Sequence, residues 1–391
     1  METGGRSETQ FYRPELDVVR FLAFLFVFLY HIMPDRDDPR VARALGAHSH
    51  LLAAFSSACG FGLSLFFTLS AFLICELLLR ERRAIGTVLL KQFYIRRILR
   101  IWPLYYFCLA LGILAAAIIP GHQGEIARLS WFAVFLGAWH LALHGSFANP
   151  CVPLWSISVE EQFYLFAPWA VKFLNRSTLY VFCALLLLVS NGRLYYLGSV
   201  SASDSRIWFD SLVHFECFAA GILLSLALNR RLPEFSLGIR AALFSIAFGL
   251  WFCGPYFLNS RFVEAENPGA WPLIGGYALA ALGSVLMLLA FLGCKAKLLP
   301  GWAIYLGRIS FGLYVYHEFA IRLAQFLHLG HLATMAIPNY LVRISLSGGL
   351  DLGLSVGLTI LMAGISYRYI ETPFLRVKKR HAVIRSQPVG E

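Results

Sequence analysis

An arginine and a histidine flank a strongly apolar stretch near the N-terminus, RFLAFLFVFLYH, residues 20–31. Because each residue of an α-helix turns by about 100°, Arg20 and His31 return to nearly the same face after about three turns. Ionisable side chains within a membrane are costly, and they usually face a protein cavity or a substrate path. Histidine is a suitable general base near neutral pH. The pair therefore predicts a buried site at which His31 removes a proton, whereas a neutral histidine bonded to a neighbouring helix is the simpler alternative.

A second basic group lies in FYIRRILRIWPLYY, residues 93–106. Arg97 and Arg100 are three residues apart, which makes them neighbours on a helix. Two guanidinium groups in this arrangement can bind phosphate oxygens bidentately. Anchoring of a helix end at the cytoplasmic membrane surface explains the same residues without a ligand, and taken alone it is the better interpretation.

The elements that must position these residues are membrane helices. Of the 391 residues, 58% are hydrophobic and only 14% are charged, against about 25% in soluble proteins. A further apolar run at 130–143 is short, and we interpret it as a half-helix or a surface segment. The predicted fold is all-α, a polytopic integral membrane protein of about ten transmembrane helices. The apolar runs that predict these spans lie at 17–33, 60–79, 101–119, 160–175, 178–192, 210–228, 240–258, 270–293, 303–326 and 350–371.

Lysine and arginine residues predict the orientation of these spans. With the N-terminus inside, most of the 33 basic residues fall in the segments on that same side, as the positive-inside rule requires. An even number of spans then places both termini in the cytoplasm. Topology thus explains the net charge of +11, and nucleic acid is not an expected partner. We assign residues 1–375 to one transmembrane domain and 376–391 to a short basic cytoplasmic tail, loose over its last dozen residues.

Six motifs taken together resemble the membrane-bound acyltransferase 3 family. Two of them are the stretches described above, the first extended to RPELDVVRFLAFLFVFLYH and the second being FYIRRILRIWPLYY. The other four are FGLSLFFTLSAFLI at 61–74, PLWSISVEEQFYLFAP at 153–168, LGRISFGLYVYHEF at 306–319 and SYRYIETP at 366–373. The resemblance spans almost the whole chain. It implies a ten-span protein that moves an acyl group, most often acetyl, from cytoplasmic acyl-CoA to an acceptor facing the other side of the membrane.

The resemblance also implies roles for individual residues. His31 and Glu160 are expected to be catalytic, with His31 as the general base and Glu160 orienting either His31 or the acceptor hydroxyl. Direct transfer and an acyl-His31 intermediate both remain open. The residues expected to bind acyl-CoA are Arg20, Arg97 and Arg100, and those expected on the acceptor side or in support of it are Trp155, Ser156, Ser158, Ser70 and His317.

The substrates follow from the same resemblance, whereas the compactness of the chain suggests the location. Acyl-CoA, with acetyl-CoA foremost, is the expected donor substrate, and no bound cofactor is expected. The eight cysteines are scattered without metal-ligand spacing, so no metal is expected either. The implied acceptor is a cell-surface glycan, a glycolipid or a small molecule, and the only other expected partner is membrane lipid. The expected location is a prokaryotic inner membrane.

Two positions depart from the family pattern, and a different class of protein fits the same composition. Ala71 stands where the family usually has glycine, and its methyl group could crowd a close backbone approach. Glu318 and Phe319 follow His317, where the family often has a proline shortly after. A multi-span transporter or exporter of glycans or small molecules, without acyl transfer, would also bury ionisable groups. A non-catalytic membrane scaffold also fits the composition.

Overall fold

The structure is a computed structural model that describes residues 11–33, 46–263, 266–327 and 340–384. The regular elements of these residues are all helical, and no β-strand occurs among them, which confirms the predicted all-α class. The first half of the chain forms α1 (Pro14–Ile32), α2 (Ser49–Gly60), α3 (Gly62–Ile85), α4 (Leu90–Ile118), α5 (Glu125–Ala133), α6 (Gly137–His144), α7 (Trp155–Phe173) and α8 (Arg176–Ser199). The second half forms α9 (Asp204–Trp208), α10 (Phe215–Leu228), α11 (Leu237–Leu258), α12 (Ala270–Phe291), α13 (Gly301–Arg308), α14 (Ser310–Leu327), α15 (Tyr340–Ser366) and α16 (Thr372–Lys379).

Seven helical segments of the described chain are long and apolar enough to cross a membrane. The three other predicted spans correspond to α1, α7 and α14, helices of 19, 19 and 18 residues. Each of them carries ionisable residues that line the internal cavities described below, which makes it less apolar than a lipid-facing helix. The count of ten spans and the cytoplasmic placement of both termini therefore stay predictions. The seven segments are Ser49–Ile85, Leu90–Ile118, Arg176–Ser199, Ser211–Leu228, Leu237–Leu258, Ala270–Phe291 and Gly348–Lys379.

The short apolar run at 130–143 does not form a single helix. It is divided between α5 and α6, and the chain turns between them at Phe135, whose φ is 57°. The eight residues of α6 rise only about 12 Å at 1.5 Å per residue, far less than the thickness of a bilayer. The structure thus agrees with interpreting this run as something other than a complete span.

Helix α3 lies at the centre of the bundle, in contact with α1, α7, α10 and α12. Two glycines permit the closest approaches, as small residues commonly do between membrane helices. A Cβ atom on Gly62 would lie 2.6 Å from the carbonyl oxygen of Ala23, and one on Gly221 would lie 2.3 Å from that of Thr68. Gly221 also faces the methyl group of Ala71. The missing family glycine at position 71 is therefore accommodated by a glycine on the facing helix α10.

The C-terminal part of the chain differs from the predicted loose tail. A single π-helical turn, Tyr367–Glu371, joins α15 to α16, and α16 packs against α4. The backbone oxygen of His381 accepts a 2.8 Å hydrogen bond from Arg96, and its ring donates a 2.7 Å bond to Gln92. The prediction was therefore wrong for residues 380–384, because side chains of α4 bind the segment; residues 385–391 lie outside the described part.

Candidate active site

A cavity of about 200 Å³, which we call the basic cavity, lies among α1, α3, α4, α7, α14 and α16. It brings together six of the ten residues that the sequence singled out. Six cationic and three acidic side chains line it, so it carries an excess of positive charge. The six predicted residues are Arg20, Ser70, Arg97, Arg100, Ser156 and Glu160, and the other charged groups belong to Arg13, Asp17, Arg308, Glu371 and Lys378.

Four of the six cations in the basic cavity form no ion pair with a described residue. The side chains of Arg13, Arg97, Arg100 and Lys378 line the cavity, but none forms an ion pair or a side-chain hydrogen bond with another described residue. The guanidinium of Arg97 lies over the ring of Tyr164, 5.2 Å from its centroid. Half-buried cations that are not ion-paired are suited to binding phosphate groups. Lys378 was missed from the sequence, where it appears only as one of several basic residues of a terminal tail.

Arg20, in contrast, is neutralised within its own helix. Its guanidinium forms an ion pair with Asp17, one turn earlier in α1. Asp17 also accepts a 3.0 Å hydrogen bond from the hydroxyl of Tyr12, which in turn accepts a 3.1 Å bond from Arg308. Burial raises the pKa of the Tyr12 hydroxyl, which keeps it protonated as a donor to Asp17. Arg20 therefore shapes the wall of the cavity more than it adds unbalanced charge.

Glu160 lies in the basic cavity and not beside His31. It accepts a 3.0 Å hydrogen bond from the hydroxyl of Tyr164, and that hydroxyl lies 2.6 Å from the Oγ atom of Ser70. Glu160 lines the same cavity as Arg97 and is absent from the lining of the His31 cavity, so the structure gives no support to an orienting contact with His31, and a catalytic role of Glu160 stays a prediction. The glutamate instead fixes the Ser70–Tyr164 pair beneath the Arg97 guanidinium.

A second cavity, of about 270 Å³, lies at the other end of α1 and contains His31. We call it the histidine cavity. Six aromatic residues of the described chain line it: Tyr30, Phe147, Trp155, Trp208, Phe209 and Tyr314. The placement of Trp155 on the acceptor side stays a prediction. Two charged residues of α14, Glu318 and Arg322, complete it.

The surroundings of His31 fix the tautomer of its ring. Its Nδ1 atom donates a 2.8 Å hydrogen bond to the backbone oxygen of Val27, which leaves Nε2 as the basic nitrogen. His317 is fully buried, its ring centroid lies 4.8 Å from that of His31, and its Nδ1 donates to the backbone oxygen of Tyr314. An imidazole held through one nitrogen with the other available can act as a general base.

Glu318 is the acidic residue closest to this histidine pair. One nitrogen of each imidazole and one carboxylate oxygen of Glu318 lie within 4.8 Å of one another, and Glu318 forms a 2.7 Å ion pair with Arg322. Such a spacing would admit a metal ion, whereas the sequence predicts none, and that expectation stays a prediction. The sequence offered only one signal for Glu318, its position next to His317.

The face of α7 explains the placement of the remaining predicted residues. Ser156, Glu160 and Tyr164 recur every four residues and line the basic cavity, as one face of an α-helix must. Ser158 is two residues from Ser156 and so points about 200° away; it is fully buried and lines neither cavity. The expectation that Ser156 and Ser158 lie on the acceptor side or support it stays a prediction.

The two cavities meet at Leu63 and Tyr314. Among the described residues, only these two side chains line both. The hydroxyl of Tyr314 lies 2.6 Å from the Oγ atom of Ser156, on the side of the basic cavity. Arg20 and His31 thus share a face of α1, as predicted, but they open into different cavities.

Comparison with known proteins gives the family. The sequence model described as an acyltransferase domain, that of the acyltransferase 3 family, matches residues 13–363. "Putative O-acetyltransferase SAS0844" of Staphylococcus aureus strain MSSA476 is 25% identical over 388 residues. O-acetyltransferase OatA of S. aureus strain NCTC 8325 is 24% identical over 390 residues. Each alignment covers 93% of this chain and 57% of the relative, so the chain spans little more than half the length of the curated relatives it matches.

No solved structure matches the chain. The family match covers most of the sequence and includes every helix that lines either cavity except α16. The chain therefore belongs to the acyltransferase 3 family of multi-pass membrane proteins.

Proposed function

We propose that the protein transfers an acyl group, acetyl foremost, from cytoplasmic acyl-CoA to a hydroxyl group of an acceptor on the other side of a prokaryotic inner membrane. The acceptor that we propose is a cell-surface or lipid-linked glycan. The names of the relatives support acetyl transfer to oxygen. One observation carries the proposal: a cavity with cations that form no ion pair and a cavity with an available imidazole share two lining side chains, those of Leu63 and Tyr314.

The basic cavity fits the donor. Coenzyme A carries a diphosphate and a phosphomonoester, and phosphate oxygens are strong acceptors for guanidinium and ammonium groups. Arg97, Arg100 and Lys378 would hold these groups, with no carboxylate of the described chain competing for them as an ion-pair partner. The pantetheine arm would then extend past Glu160 and Tyr164 towards Tyr314.

The histidine cavity fits the acceptor. The Nε2 atom of His31 would take the proton from an acceptor hydroxyl as its oxygen attacks the thioester carbonyl carbon. The tetrahedral intermediate collapses as the carbon–sulfur bond breaks, and the thiolate of coenzyme A leaves and is then protonated. Glu318, rather than Glu160, is placed to stabilise the imidazolium that forms. Aromatic walls such as those of Trp155 and Trp208 suit the apolar faces of sugar rings.

The test separates donor binding from transfer. In lipid nanodiscs the protein should bind acetyl-CoA by calorimetry, and in membrane vesicles it should move radiolabel from [1-14C]acetyl-CoA into alkali-labile material. His31→Ala should reduce the labelling by about 10²–10⁴-fold, as is typical for loss of a general base, and leave acetyl-CoA binding unchanged. His144→Ala is the matched control, because that exposed histidine lines neither cavity. A protein that neither binds acetyl-CoA nor transfers its label would refute the proposal and favour a transporter.

A further inference from the structure

Tyr314 occupies the boundary between the two cavities. It is almost fully buried, with 7% of its surface exposed, yet it contributes to the walls of both. Leu63 of α3 is the only other described residue that does so. An acyl group that moves from the basic cavity to an oxygen beside His31 would therefore pass next to these two side chains.

The ring of Tyr314 is held from both sides. Its hydroxyl lies 2.6 Å from Ser156 Oγ and donates a 2.9 Å hydrogen bond to the backbone oxygen of Pro153. On the side of the basic cavity, Phe66 packs edge-on against the ring at a centroid distance of 5.8 Å. On the other side lies His317, at 5.5 Å. The buried hydroxyl of Tyr314 is thus hydrogen-bonded, which avoids the cost of an unsatisfied polar group.

The partition also links the two sites through the backbone. The Nδ1 atom of His317, the buried neighbour of His31, donates its hydrogen bond to the backbone oxygen of Tyr314 itself. The hydroxyl of the same tyrosine bonds to Ser156, which lines the basic cavity. A single residue therefore contacts both His317, the neighbour of His31, and Ser156 in the wall of the basic cavity.

We propose that Tyr314, together with Leu63, is a positioning residue that separates the thioester from water in the histidine cavity and confines the acyl group to the line of attack by the acceptor. The inference rests on the proposed function and explains how the protein limits hydrolysis of the acyl donor. A thioester is open to attack by water as well as by an alcohol. In the side reaction the oxygen of water bonds to the carbonyl carbon and the carbon–sulfur bond breaks. The products are acetate, a proton and the thiol of coenzyme A.

The experiment measures that side reaction directly. Purified protein in nanodiscs is supplied with acetyl-CoA and no acceptor, and thiol release is followed with a chromogenic disulfide. Tyr314→Ala and Leu63→Ala should each release thiol about tenfold faster than the wild type or more, because both open the barrier that excludes water. Tyr314→Phe, which keeps the ring, should leak less than Tyr314→Ala. Leu65→Ala is the matched control: the same substitution at a fully buried position of α3 that lines neither cavity.

Acetyl-CoA binding, measured on each variant, shows that the protein is folded and separates the possible failures. If Tyr314→Ala does not fold, Leu63→Ala decides the outcome. Thiol release from both alanine variants at the rate of Leu65→Ala, with acetyl-CoA still bound, would overturn the partition and leave the proposed function intact. A wild-type protein that does not bind acetyl-CoA would overturn both.

Discussion

Lys378 provides the sharpest test of the donor site, because the sequence alone does not predict a role for it. In the variant Lys378→Met the aliphatic stem is kept and only the ammonium group is lost. The side chain is half-buried in the basic cavity and has no carboxylate partner among the described residues. Its removal therefore leaves no buried anion unsatisfied, and the effect should fall on the ligand alone.

The magnitude follows from the arrangement of charges. A hydrogen bond to a charged group contributes about 1.5–3 kcal/mol. Arg97 and Arg100 stay in place and keep the cavity cationic, so we expect the lower part of this range, about 1.5–2 kcal/mol. That corresponds to a Kd for acetyl-CoA that is roughly 10- to 30-fold weaker. The turnover at saturating donor should be unchanged, because Lys378 does not line the cavity of His31, where the proposed transfer takes place.

The assay is calorimetry or equilibrium dialysis with acetyl-CoA in nanodiscs, and the control is the adjacent residue. Lys379→Met removes the same charge from an exposed position outside the cavity, so its Kd should stay within about twofold of the wild type. The difference between the two variants should shrink as salt screens the phosphates. If both variants lost affinity equally, the effect would come from the net charge of the protein and not from the position of Lys378. An unchanged Kd in Lys378→Met would mean that the phosphates bind elsewhere.

Three further substitutions test the proposed roles of two glutamates and the packing of the bundle. Glu318→Gln should lower the transfer rate about tenfold, equivalent to about 1.4 kcal/mol, without changing the affinity for acetyl-CoA. Glu160→Gln should instead change that affinity. The opposite pattern would indicate that Glu160, and not Glu318, supports His31. Gly221→Val should reduce the free energy of unfolding by about 1–3 kcal/mol and thereby lower the melting temperature in detergent. The reason is that its Cβ would lie 2.3 Å from the carbonyl oxygen of Thr68. Gly249→Val is the control, since nothing lies within 4 Å of a Cβ there, and equal melting of the two variants would contradict the packing argument.

Local periodicity predicted the placement of residues within one helix. The spacing of Arg20 and His31 gave a shared face of α1, and α1 does run from Pro14 to Ile32 with both side chains lining cavities. The same reasoning predicts that Ser156 and Glu160 share a face of α7, and they do. These relations depend only on the geometry of a single helix, so the spacing of the residues in the sequence is enough to predict them.

Relations between helices could not be predicted in this way. The division into two cavities depends on Leu63 and Tyr314, which come from helices far apart in the chain. Glu160 was expected beside His31 because both belong to family motifs, yet motif order does not say which cavity a residue faces. Glu318 and Lys378 were missed for the same reason, since only the packing of α14 and α16 shows what they contact.

The π-helical turn between α15 and α16 sets the direction in which the last helix presents its side chains. Such a turn amounts to one extra residue within a helix. Deleting one residue from Tyr367–Glu371 would convert the junction to continuous α-helix and rotate everything beyond it by about 100°. Lys378 would then leave the basic cavity although its sequence neighbours were untouched, so the length of this junction matters as much as the identity of the lysine.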